Sequence, residues 1–202
     1  TARCKAAEEG EVHRAAAPPH DRSAAGCVSG AQRHAAPGVD GVAWKDYEAG
    51  LEDNLLDLHE RVHRGTYRAL PVRRRFIPKP GGKQRPLGIA ALEDKIVQGA
   101  VVKILECIYE EDFLGFSYGF RPERGAHGAL DALSVALQFE KVSWVLDADI
   151  QSFFDTMSHE WTMKFLEHRI ADPRILRLIR KWLRAGVSED GEWSQTTIGT
   201  PQ

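Results

Sequence analysis

From residue 44 onward the large apolar side chains recur with two different periods, and the switches between them mark out the elements. Tyr47, Leu51, Leu55, Leu58 and Val62 follow one another at spacings of four, four, three and four, which gives a helix one apolar face. Gly65 is the expected stop. Residues 67–79 and 84–91 read as two strands joined by the turn Pro80-Gly81-Gly82-Lys83, whose residues suit a hairpin. Between 92 and 109, Ile96, Val97, Ala100, Val101, Ile104, Leu105 and Ile108 cover a broad helical face. A further helix is predicted over 127–139. The period then shortens to two over 144–150, where Trp144, Leu146, Ala148 and Ile150 face one way and Val145, Asp147 and Asp149 the other, the pattern of a strand. Residues 159–184 are helical with a break near Asp172-Pro173, and a last hairpin turns at Asp190-Gly191. Helices and strands mix without a regular βαβ repeat, so the expected class is α+β.

Residues 1–36 show neither period. They are rich in Ala, Gly, Pro, Ser and His and almost lack large aliphatic side chains, so this segment has little to bury and the folded domain is expected over 37–202. Within its 202 residues the chain has no run of about 18 apolar residues, and its start lacks the basic-then-apolar layout of a secretory signal. A cytosolic setting, with no membrane partner, is the default expectation. Cys4, Cys27 and Cys107 are too few and too scattered for a disulfide framework or a structural zinc site. The net charge of −2 conceals an uneven distribution. Between Arg61 and Arg85 every charged side chain is a Lys or Arg, a local surface suited to anions.

Two stretches carry candidate chemistry. In Val145-Leu146-Asp147-Ala148-Asp149-Ile150, the two carboxylates share a strand face. That placement suits a hard divalent cation, or simply two carboxylates facing water. His59-Glu60-Arg61-Val62-His63 spells the H-E-x-x-H helix of zinc proteases. The charged Arg61 beside Glu60 and the lack of a third histidine at the right spacing favour two surface histidines instead.

Several blocks in order carry a family resemblance: AAPGVDGV, YRALPVRRRFIPKPGGKQRPLGIAALEDKIVQGAV, YEEDFLGFSYGFRPERGAHGALDAL, WVLDADIQSFFDTMSHEW and GTPQ. Over about residues 35–202 the chain resembles the reverse transcriptases encoded by bacterial group II introns. The resemblance implies a right-hand polymerase fold, with fingers at about 37–140 and the start of the palm at about 141–202. It implies RNA-directed DNA synthesis in retroelement mobility together with RNA splicing as a maturase, in the bacterial cytoplasm. Intron RNA template, DNA primer or target, and deoxynucleoside triphosphates would be the partners, and a two-ion Mg²⁺ site the cofactor.

By the same resemblance Asp149 is the first catalytic aspartate and a metal ligand, whereas Asp147 matches no catalytic residue. Phe154 matches the aromatic gate against a ribose 2′-hydroxyl. Lys79 and Arg85 match the residues that grip the triphosphate, Gln202 the glutamine packed on the nucleotide, and Arg121 an arginine near template and nucleotide. Arg73, Arg74 and Arg75 would face the template backbone. The family's second carboxylate motif, Tyr-Ala-Asp-Asp, is expected beyond Gln202, so these 202 residues are not expected to polymerise DNA alone. The alternative that remains is an RNA-binding splicing factor without polymerase activity.

Overall fold

The computed structural model describes residues 35–79, 81, 82 and 84–200. The expectation for residues 1–36 therefore falls almost wholly outside the described residues, and that for Gln202 entirely so. The first helical stretch is two helices, α1 (Trp44–Glu48) and α2 (Leu51–His63), broken at Ala49-Gly50. α2 ends at Gly65, where φ is 74°. The basic hairpin follows as β1 (Val72–Pro78) and β2 (Gln84–Ile89), and α3 (Leu92–Tyr109) comes next with the bounds its periodicity predicts. α4 (Ala126–Phe139), a single turn α5 (Phe153–Thr156), α6 (His159–Arg169), α7 (Pro173–Arg184), β3 (Val187–Glu189) and β4 (Glu192–Ser194) complete the described residues.

The break between α6 and α7 has a local cause. Asp172 caps α7 by accepting a hydrogen bond from the Arg174 N–H at 2.8 Å, and Pro173 takes the first helical position, where its missing N–H costs nothing. The strands form one sheet in the order β2-β1-β3-β4, with β1 antiparallel to β2, β1 parallel to β3 and β3 antiparallel to β4. The β3–β4 turn is the predicted Asp190-Gly191, both residues at positive φ.

Two apolar clusters hold these elements together. Trp44, Tyr47, Leu58, Tyr67, Leu92, Ile96 and Val97 join α1, α2 and the first turns of α3. Met163, Ile170, Leu176 and Leu183 join α6 to α7, with Leu105 and Tyr109 of α3 packed against them. The Pro37-Gly38-Val39-Asp40-Gly41 turn lies on the start of α3 so closely that a Cβ on Gly38 would sit 2.5 Å from the Ala91 Cα. A side chain there is excluded by contact.

One predicted element is corrected. Residues 144–150 form no strand, and Trp144 and Leu146 are each 91% exposed. Their alternation is strand-like, but a strand is stable only when its N–H and C=O groups pair with a neighbour. Among the described residues nothing pairs with this segment. α4, although predicted correctly, likewise buries none of its residues.

Candidate nucleic-acid interface

The basic hairpin is a ribbon with a definite sidedness. In its register Arg73 lies opposite Ile89, Arg75 opposite Leu87 and Ile77 opposite Arg85. Opposed residues share a face and alternate residues repeat it. Arg73, Arg75 and Arg85 therefore lie on one face, Arg74 on the other, and Lys79 follows in the first face's alternation just past the end of β1. None of these five cations has a hydrogen-bond or ion-pair partner among the described residues. A groove of about 410 Å³ runs along the β1 arginines, walled by the Gly38–Gly41 turn on one side and by Ser188, Asp190 and Gly191 on the other. Unpaired guanidiniums beside backbone suit a phosphate-bearing strand.

Asp149 and Phe154 sit apart from that ribbon in the chain, on an exposed stretch. Asp149 has no hydrogen-bond partner among the described residues. Phe154, in α5, is 43% exposed and meets Phe153 edge-on, with ring centroids 5.2 Å apart. A clasp then ties α5 to the Gly199-Thr200 segment. The Thr200 N–H donates to the Phe154 carbonyl at 2.8 Å, the Gly199 N–H to the Met157 carbonyl at 2.8 Å, and His159 donates through Nε2 to the Gly199 carbonyl at 2.6 Å. Only glycine fits at 199, since φ is 73° and a Cβ would lie 2.4 Å from the Asp155 carbonyl oxygen. The clasp brings the chain that leads to Gln202 up against Phe154, although 154 and 199 are far apart in sequence.

Arg121, which the resemblance matches to an arginine near template and nucleotide, is tied into its own loop. Its guanidinium forks onto Glu110, with Nε 3.2 Å from both carboxylate oxygens and Nη2 2.6 Å from Oε1. Nη1 donates to the carbonyls of Leu114 and Ser117 at 2.9 and 2.8 Å. The group also stacks over Phe113, 4.9 Å from the ring centroid, and the side chain is 5% exposed. With its fork engaged inside the 110–121 loop, Arg121 shapes that loop. The arginine holds the Glu110 carboxyl below the usual carboxylate range.

The H-E-x-x-H motif assembles no metal site. His59 and His63 are one turn apart with ring centroids at 4.2 Å, but Glu60 pairs with Arg64 at 2.9 Å and Arg61 bridges Asp57 and Glu93 at 2.6 and 2.7 Å. Among the described residues no three His, Cys, Asp or Glu side chains are grouped to hold a metal ion, and this holds around Asp149 too. The one carboxylate of Asp149 suits a hard cation but does not by itself make a two-ion centre.

Sequence reasoning missed the buried knot that sets the hairpin's base. Asp94 of α3 accepts hydrogen bonds from the Tyr67 hydroxyl and, at 3.0 Å, from the Leu70 N–H. Tyr67 in turn accepts from the Trp182 indole N–H at 2.9 Å. Lys181 donates to the carbonyls of Gly65 and Tyr67. Residues 65–70, which lead into β1, are thereby pinned to α3 and α7. Burial pushes the Asp94 carboxyl up, against the opposing pull of the Tyr67 and Leu70 donors. A lone acid at the start of a helix gives no sequence signal for such a partner 27 residues upstream.

Known proteins similar to this chain agree on one family. Residues 77–202 match the family described as reverse transcriptase (RNA-dependent DNA polymerase). Protein YkfC of Escherichia coli K12 is 42% identical over 169 residues, 82% of this chain and 44% of that protein. The group II intron-encoded protein LtrA of Lactococcus lactis is 38% identical over 152 residues, 75% of this chain and 25% of the relative. Nuclear intron maturase 2, mitochondrial, of Arabidopsis thaliana is 32% identical over 108 residues, 52% of this chain and 14% of that protein. The chain thus spans less than half the length of each of these relatives.

Proposed function

Because the chain belongs to the reverse transcriptase family, among its group II intron members, we propose that it supplies the template- and nucleotide-binding part of an RNA-directed DNA polymerase that also acts as an intron maturase. The observation that carries this reading is the β1–β2 ribbon, a face of Arg73, Arg75 and Arg85 with no ion-pair partner among the described residues, inside a chain of this family. In this reading residues 37–140 are fingers and 141–202 begin the palm, in a bacterial cytoplasmic protein.

Arg73, Arg74 and Arg75 hold the template RNA by its phosphates, with Arg74 reaching the backbone from the opposite face of the ribbon. Lys79 and Arg85 neutralise the triphosphate of an incoming deoxynucleotide, the lysine as a point charge and the arginine as a fork. Phe154, set edge-on to Phe153 and fixed by the Gly199-Thr200 clasp, presents its ring where a ribose 2′-hydroxyl would clash, and Gln202 packs against the same nucleotide. Asp149 would supply one carboxylate ligand to Mg²⁺, which when bound would supply charge stabilisation for phosphoryl transfer.

The ribbon's part is tested by titrating the chain into a labelled single-stranded RNA at a series of salt concentrations. Each phosphate contact contributes about 0.7 to the slope of log affinity against log salt for single strands, so the pair Arg73→Gln and Arg75→Gln should lower it by about 1.4. An unchanged slope and affinity would remove the ribbon from the interface.

A second reading, a splicing factor that grips intron RNA without polymerising, is favoured by the likeness to a protein named as an intron maturase. RNA binding without any templated extension by the protein carrying this sequence would select it.

A further inference from the structure

A second basic surface lies behind the hairpin, on residues that the polymerase reading does not use. A groove of about 710 Å³ runs between residues 65–69 and α7, and its lining includes Arg68, Arg177, Arg180, Lys181 and Arg184 but no acidic side chain. Arg180 is paired with Glu167 across α6 and α7, and Lys181 is held on the Gly65 and Tyr67 carbonyls. Arg68, Arg177 and Arg184 have no partner among the described residues.

The arrangement is built into the fold. Arg177 lies across Gly65, so that a Cβ there would meet its Nη2 at 3.4 Å. The like charges of Arg177 and Arg68, together with burial as the larger cause, pull the Lys181 ammonium below its ordinary value. Cations crowded in this way repel one another until an anion enters.

We infer that this groove is a second, sequence-independent contact for the phosphate backbone of RNA, distinct from the β1–β2 face and resting on the reading of the chain as an RNA-handling reverse transcriptase. A strand of nucleic acid fits better than an isolated anion because the charges are strung out. Arg177, Lys181 and Arg184 recur on one side of α7 at i, i+4 and i+7, which at about 1.5 Å per residue spans about 10 Å. Duplex DNA carries one charge per about 3.4 Å of axis on each strand, so that length is on the scale of a few successive phosphates. The groove is also continuous with the ribbon. Residues 65–69 on its wall lead directly into β1, and the Val72 N–H donates to the Gly186 carbonyl just past α7 at 3.0 Å.

The test compares two double variants of the chain in the same salt titration with labelled single-stranded RNA. Arg68→Gln with Arg184→Gln removes two groove cations that hold nothing else in place, so the thermal midpoint should stay unchanged. Its salt slope should fall by about 1.4, two contacts at about 0.7 each, and combining it with Arg73→Gln and Arg75→Gln should double the loss. A groove variant that matches the parent while the ribbon variant loses slope overturns this inference and leaves the proposed function standing. If neither variant shifts the slope, or the unsubstituted chain binds no RNA, both readings fall. A groove variant that loses binding to vesicles of anionic phospholipid but not to RNA assigns the groove to a membrane surface and likewise overturns the inference.

Discussion

Asp94 is 3% exposed, and it is the acceptor on which the hairpin's base depends. Removing it leaves the Tyr67 hydroxyl and the Leu70 N–H buried without an acceptor, each costing about 1–3 kcal/mol. Asp94→Ala should therefore lower unfolding free energy by about 3 kcal/mol in urea denaturation, and a loss under about 1 kcal/mol would contradict the knot. The pH dependence has a definite sign. Burial raises the folded carboxyl above its ordinary 3.8, so the folded protein binds that proton more tightly than the unfolded chain. Stability from this group is full below 3.8 and declines as pH rises through the raised value. Asp172 runs the other way. The Arg174 side chain and N–H hold it down to about 2, so its stabilisation is present above 3.8 and is lost as pH falls towards 2. Unfolding followed across these windows should show Asp94→Asn flattening the first trend and Asp172→Asn the second.

At the scale of elements, the division between what could and could not be read from sequence follows the range of the interactions. α3, α4, the β1–β2 hairpin and the β3–β4 turn were legible because period, turn residues and caps are local. The Asp172-Pro173 break was legible for the same reason. The strand at 144–150 was legible only as a pattern, since pairing needs a neighbour that alternation cannot supply. Arg121 was matched to a nucleotide-side role, and only its contact with Glu110, eleven residues away through a loop, shows where its fork goes. The clasp between α5 and Gly199-Thr200 joins residues some 45 apart, and no local pattern announces it. Gly199→Ala forces a side chain into the left-handed region and onto the Asp155 carbonyl, at a cost of about 1–3 kcal/mol. Amide hydrogen exchange at 199 and 200 should accelerate in this variant. Unchanged exchange would mean that the clasp does not depend on the glycine.

The whole molecule divides into a packed part and an open one. α1, α2, α3, α6 and α7 carry both apolar clusters, whereas 113–154 leaves Phe116, Phe120, Leu130, Phe139, Trp144 and Leu146 more than 60% exposed. Asp149 lies within that stretch, which is why the carboxylate recognised most readily in the sequence is the one around which the described residues build least. The groove is walled by α7 of the packed part and the base of the ribbon is pinned to it through residues 65–70, whereas Asp149 lies in the open part. The proposal that this chain supplies the template- and nucleotide-binding part of a reverse transcriptase is tested most directly by Mg²⁺-dependent, RNA-templated primer extension. The assay uses the protein carrying this sequence, with and without Asp149→Ala. The account predicts that extension falls at least about 10³-fold, as expected when an electrostatic anchor of the transition state is lost, while RNA affinity is kept. Extension that survives the substitution would contradict it.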